Sequence, residues 1–286
     1  MRGARPRAAL EAAVASSVAA RPGEVLVAAV SGGPDSVALA ALLTRCAKAA
    51  GATTVLAHVN HGLRERGWQD EAVVLALGAA LGCRVVTRSL EPGPGDEARL
   101  RRERYAALLE ISGEVGSARL FTAHHAEDQT ETILLALFRG TGADGLVGMT
   151  PQREIAPGVS LERPLLGIAP ADLGAYARGA GLAYALDATN TDTAYRRNAV
   201  RVALVALRES FPHLDAAVAR CARILRDERS ATPRAALRER VRLEVRAVTG
   251  DTRDLSFERL DAVAESLERG APGRHFLRRG VEAVIE

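Results

Sequence analysis

The sequence predicts an α/β protein, a doubly wound and mostly parallel sheet followed by a smaller, mainly helical C-terminal domain. Three observations predict it. Val25–Val30 is an unbroken apolar run of strand length that stops at a glycine turn and restarts at helical spacing, Val37, Leu39, Ala40, Leu42 and Leu43; a strand buried on both faces reads this way. Strand-like and helix-like segments then alternate as far as Gly142, which makes βαβ units. Beyond Pro212 only helical spacing continues. With 286 residues, two domains are the natural expectation, an α/β domain over 1–207 and a helical accessory domain over 208–286.

Taken in order, residues 1–20 read as an amphipathic helix packed on the domain rather than a leader, because Glu11 interrupts the apolar part. Strands are expected at 53–59, 84–90 and 119–123, and helices at 69–81, 97–111 and, after a polar start, 133–138. From Gly142 to Pro164 the pattern loosens into a connection bearing Gly and Pro. Pro170 suits the first turn of a helix to Gly179, and a further helix runs through Arg201 to Arg208. In the tail, 213–229, 233–248 and 257–268 show helical spacing.

Composition narrows the class. A hydrophobic content of 48% with 26% charged residues supports a buried core, and 3% aromatics means that core is Ala, Val and Leu. Lys48 is the single lysine, so the positive charge is arginine, and the net charge of +3 neither demands nor excludes nucleic acid. Cys46, Cys83 and Cys221 lie far apart without a C-x-x-C pair, which indicates reduced cysteines in a cytoplasmic protein and neither disulfides nor a metal knuckle. No apolar run reaches membrane-spanning length.

The turn Ser31-Gly32-Gly33-Pro34-Asp35-Ser36 couples paired glycines to a helix N-terminus, an arrangement that suits phosphate. Asp35 or Ser36 is expected to cap that helix. No Gly-Lys-Ser/Thr follows, so this is not a Walker A loop. It resembles the SGGxDS loop of the N-type ATP pyrophosphatases, which bind ATP and release pyrophosphate while transferring AMP.

The second informative stretch is His124–Gly142. Helical spacing would put His124 with Asp128, and Asp128 with Glu131, on shared faces. The alternative is an ordinary helix start whose acids suit the dipole; it leaves two histidines at a strand end unexplained. A metal reading of H-x-x-x-D lacks a third protein ligand, so no metal site is assigned.

Together with SGGPDS, the segments HVNHGLR (58–64), AHHAEDQTETILLALFRGTG (123–142) and TNTDTAYRRNAVR (189–201) resemble, in order, the tRNA(Ile)-lysidine synthase family. The resemblance covers about Val25 to Arg201. It implies attachment of L-lysine to the wobble cytidine of an isoleucine tRNA: ATP adenylates the carbonyl oxygen at ring position 2, and the lysine side-chain amine displaces AMP. It further implies that Ser31, Gly32, Gly33, Pro34, Asp35 and Ser36, with His58 and Arg101, bind ATP. Asp35, Arg101, His124 and Asp128 then form the catalytic set, and Asp128, Glu131, Asn190 and Arg201 bind lysine. A lysine ligand needs carboxylates for its ammonium groups and an arginine for its carboxylate, and AMP transfer needs cations, here arginines and Mg²⁺. The implied partners are the tRNA and L-lysine, with no membrane; a homodimer is left open.

Ala188-Thr189 depart from the Pro-Ser that usually precedes the family's Asn, and the end at Glu286 leads us to expect that a C-terminal module of longer members is missing. Arg220, Arg223 and Arg226 are the candidates for tRNA phosphate contacts. Two other classes compete: a tRNA thiolase or another adenylating enzyme of the same ATP superfamily, of which a thiolase would carry C-x-x-C pairs or an exposed catalytic cysteine, and a nucleotide-binding module without turnover, which would lack the polar set at His124–Glu131.

Overall fold

The computed structural model describes residues 5–60, 67–90, 97–185, 196–231, 233–252 and 255–285. The elements, in chain order, are α1 (Arg7–Val18), β1 (Val25–Ala29), α2 (Pro34–Ala50), β2 (Thr53–Asn60), α3 (Gly67–Leu81), β3 (Arg84–Ser89), α4 (Glu97–Glu114), β4 (Arg119–Phe121), α5 (Ala126–Phe138), α6 (Ala143–Leu146), β5 (Gln152–Ala156), β6 (Val159–Glu162), α7 (Pro170–Gly179), α8 (Arg196–Ser210), α9 (Leu214–Ala231), α10 (Pro233–Thr249), α11 (Phe257–Arg269), β7 (Gly273–Arg278) and β8 (Val281–Ile285).

They fall into two compact units, Met1–Asp128 with Thr150–Thr191, and Gln129–Met149 with Asp192–Glu286. Compactness thus groups α8 and the 129–149 segment with the tail, whereas the sequence reading separates functional domains at 207/208.

The first unit holds a six-stranded sheet of order β3-β2-β1-β4-β6-β5, parallel except for the antiparallel edge strand β5. Period-2 alternation explains its two cores. Leu26, Ala28 and Leu56 pack with Leu39 and Leu42 of α2, Val74 of α3 and Leu173 of α7. Val27, Val55, Ala57 and Leu120 pack with Ala107, Leu108 and Ile111 of α4. Each fully buried Leu or Val contributes about 1.5–3 kcal/mol of transfer free energy. α1 adds Leu10, Val14 and Val18 to the first core, an apolar stripe at four-residue spacing. Strand order reverses between β1 and β4, so the crevice at their carboxyl ends is the ligand position of an open α/β sheet.

Two features differ from the sequence reading. The 142–164 connection contains the β5–β6 hairpin, turned at Pro157-Gly158, where Gly158 takes φ +73°. The tail is not purely helical. It ends in the β7–β8 hairpin, whose Leu277 joins Val241, Val245, Leu260 and Val263 in the second unit's core. Among the described residues no helix is long and apolar enough to cross a membrane.

Candidate functional site

The phosphate loop follows β1. Gly32 sits at φ +94°, which an L side chain adopts at a cost, and its carbonyl accepts the Ala185 N–H at 2.9 Å. The expected side-chain cap of α2 is absent: Gly33 is the N-cap and Pro34 occupies the first helical position. Ser36 has a different task. Its hydroxyl accepts from the Ser31 N–H at 3.2 Å and donates to the Gly33 carbonyl at 2.9 Å, which staples the loop across its mouth. The start of α2 therefore carries no side-chain cap hydrogen bond, which suits an anion site.

His58, at the end of β2, is 2% exposed. Its Nδ1 lies 2.8 Å from the Val30 carbonyl, so Nδ1 carries the proton, and Nε2 is buried with no partner among the described residues. That orphan lies one residue from the loop and fits a ligand donor. His61–Arg64 and Asn190 lie outside the described residues.

The β4–α5 segment supplies the other half of the first unit's site. Because β4 ends at Phe121 and α5 starts at Ala126, His124 precedes the helix, and the helical facing expected of His124 and Asp128 does not apply. Asp128 is the third helical residue, and its Oδ2 accepts the His125 N–H at 3.0 Å, the carboxylate half of a capping box. The helix-start reading is thus part of what Asp128 does. His125 is the residue the sequence reading passed over. Its Nε2 stands 3.4 Å from Asp128 Oδ2 and 3.6 Å from Asp35 Oδ2, so it links the phosphate loop to the second motif. The doubled His-His at a strand end was the available signal.

His124 turns instead to Thr122, with Nδ1 2.9 Å from Oγ1. Burial pushes its imidazole down to about 3; Asp128 opposes this, and Arg163, Arg101 and Arg104 add to it. It is therefore neutral through the physiological range. Arg101 of α4 lies against Tyr105, with Nη2 3.4 Å from the phenol oxygen and its guanidinium carbon 5.1 Å from the ring centre. Burial alone would raise the Tyr105 phenol, but Arg101, Arg104, Arg163 and Arg153 together bring it below its ordinary value.

In the second unit Glu131 is 1% exposed and held by two arginines. It accepts from Arg201 Nε at 2.7 Å and Nη2 at 3.1 Å, and from Arg197 Nε at 2.9 Å. The two residues expected to take the opposite charges of lysine thus pair with each other, and Arg197 is an unexpected third member. Among the tail candidates Arg220 and Arg223 are exposed, whereas Arg226 donates to the Val147 and Met149 carbonyls at 3.0 and 3.3 Å. No group of three or more His, Cys, Asp or Glu among the described residues could hold a metal. A Mg²⁺ carried by nucleotide phosphates needs only one or two carboxylates, and Asp35, partly exposed at the loop, fits that lesser demand.

A glycine loop at the switch point of a doubly wound sheet, with His125 set between its Asp35 and Asp128, is the arrangement of a nucleotide-handling α/β domain. A family model described as a PP-loop domain matches residues 6–207, and the chain belongs to this family of ATP-binding domains. Among curated proteins, the tRNA(Ile)-lysidine synthase of Symbiobacterium thermophilum is 39% identical over 218 residues, covering 72% of this chain and 45% of that protein. That of Ralstonia nicotianae is 42% identical over 200 residues, covering 68% and 43%, and that of Burkholderia pseudomallei 38% over 268, covering 91% and 53%. The chain spans about half the length of the curated relatives it matches. Among solved structures, a U34-tRNA thiolase from Methanococcus maripaludis superposes with a TM-score of 0.65 at 16% identity, over 77% of this chain and 78% of that one, a likeness of fold.

Proposed function

We propose that this chain ligates L-lysine to the wobble cytidine of an isoleucine tRNA, consuming ATP and releasing AMP and pyrophosphate. The observation that carries the proposal is His125 standing between Asp35 and Asp128, because it makes one centre of two motifs that otherwise lie far apart in sequence. The names of the curated relatives supply the substrate class.

In this reading cytidine O2 attacks the α-phosphorus and pyrophosphate leaves. The lysine side-chain nitrogen then bonds to ring carbon 2, and the C2–O2 bond breaks to release AMP. The Ser31–Ser36 loop and the N-terminus of α2 hold the departing pyrophosphate, and His58 Nε2 accepts from the nucleotide. His124, neutral, offers a hydrogen bond and no charge. Arg101 supplies positive charge to the phosphates. A bound Mg²⁺ would neutralise further phosphate charge, with Asp35 as its carboxylate. Glu131 and Arg201 are assigned to lysine, whose α-ammonium and carboxylate would replace the Glu131–Arg201 pair. The segment to residue 207 is assigned the chemistry and the segment from 208 the tRNA contacts, in the cytoplasm.

The thiolase alternative needs a sulfur-bearing centre. Cys46 and Cys83 are part-buried, with Cys83 Sγ 3.2 Å from Thr44 Oγ1, and Cys221 is exposed on α9, but the sequence carries no C-x-x-C pair. ATP–pyrophosphate exchange separates the readings. Exchange that requires a tRNA(Ile) transcript and is drained by lysine is expected. Exchange that is indifferent to tRNA, or turnover that requires a sulfur donor, would overturn the proposal.

A further inference from the structure

Arg163 leaves β6 at the level where β4 gives way to the catalytic segment. The Glu162 carbonyl accepts the Thr122 N–H at 3.0 Å, and Arg119 binds both Glu162 oxygens at 2.6 and 2.8 Å, so the end of β6 is fixed. The Arg163 side chain is 4% exposed. Its Nη1 donates to the Thr150 carbonyl at 2.7 Å, yet among the described residues its buried Nε has no partner. It shares its surroundings with Tyr105, Arg101 and Arg153, and burial followed by those arginines pulls its guanidinium down to about 10 while Tyr105 opposes the fall.

A purely structural strut would account for the Thr150 contact. It would not account for a buried donor left unmet, which costs about 1–3 kcal/mol, nor for a cation buried among cations. A phosphate oxygen removes both penalties, and a guanidinium offers the matching fork. We propose that Arg163, together with Arg101, forms a phosphate-binding pair at the carboxyl ends of β4 and β6 and is a specificity-determining residue for the substrates. The proposal deepens the lysidine-forming reading and rests on it. One chemistry has two sources here, the phosphates of ATP and the RNA backbone beside the target cytidine.

The test is Arg163→Gln and Arg163→Lys in the full chain. It measures ATP affinity by calorimetry, tRNA(Ile) affinity over a salt series, and thermal stability. Arg163→Gln is expected to weaken one ligand at least tenfold, with Arg163→Lys recovering part of the loss. A loss confined to ATP assigns the nucleotide phosphates. A loss confined to tRNA, with the salt slope reduced by about 0.7–0.9, assigns a backbone phosphate. If Arg163→Gln does not fold, Arg163→Lys is read alone against inorganic pyrophosphate, with weakened binding expected. Unchanged affinity for every phosphate ligand, with only the melting temperature lowered, would overturn the proposal and leave Arg163 a strut. Wild-type protein that binds both ligands but forms no lysidine would sink the functional reading instead.

Discussion

Replacing Glu131 with Gln changes charge and almost nothing else, so it separates two roles of one side chain. The carboxylate is buried and takes three N–H donors from Arg197 and Arg201, whose side chains are 24% and 33% exposed. Removing one member of a fully buried ion pair costs about 3–5 kcal/mol. Here both arginines reach solvent, which screens the unpaired charge, and the amide keeps one acceptor oxygen. The expected loss of unfolding free energy is therefore about 1–3 kcal/mol, read by denaturant titration. If Glu131 also meets a lysine ammonium, one charge-assisted contact worth about 1.5–3 kcal/mol disappears, and KM for lysine rises about ten- to a hundred-fold with KM for ATP little changed. Equal rises in both KM values, or a lost stability with an unchanged lysine KM, would refute the substrate role and leave Glu131 a structural anchor for α8.

Gly32→Ala places a Cβ 3.4 Å from the Asp70 carbonyl, an ordinary contact, so its penalty is the φ of +94°; a stability loss of about 1–3 kcal/mol and weaker ATP binding are expected from melts and calorimetry. His124 contributes to acid sensitivity. Its folded-state value of about 3 lies below its ordinary 6.5, so the unfolded chain takes the proton first. Its stabilisation is complete above about pH 6.5 and is lost as pH falls toward 3, at no more than about 1.4 kcal/mol per pH unit; His124→Gln should flatten the denaturation profile in that window, and an unchanged profile would show the imidazole is not held neutral. Reversing Arg220 and Arg223 to Glu should weaken tRNA binding and reduce its salt slope by at least about 1.4 while leaving ATP binding alone, checked by filter binding. An unchanged slope would exclude that face of α9.

Local patterns made β1 and α2 legible, because both are apolar on nearly every side and the glycine turn between them has few alternatives. The two hairpins were not legible for the opposite reason. β5 is a polar edge strand, and β7 and β8 alternate exposed with half-buried residues, Leu277 alone being buried, over only five or six positions, so neither hairpin shows a continuous apolar run. At the candidate site, the sequence singled out Asp35 and Asp128 and paired the latter with His124. That pairing assumed a helix already begun at 124. The extended residues 122–125 instead turn His124 toward Thr122 and present His125 to both carboxylates. Likewise, the sequence could assign Glu131 and Arg201 opposite charges for a ligand, but only the fold reveals that these charges pair with one another.

The central claim is that the loop after β1 and the segment after β4 work as one centre for joining lysine to a tRNA base. It is tested most directly by incubating the protein with ATP, labelled lysine and an isoleucine tRNA transcript bearing a wobble cytidine, then measuring label in that nucleotide against AMP formed. The account predicts one lysine per AMP, confined to the wobble position, and loss of both signals in Asp35→Asn and His125→Ala with the fold retained. Labelling that survives both substitutions, or AMP released with no lysine in the tRNA, would contradict it.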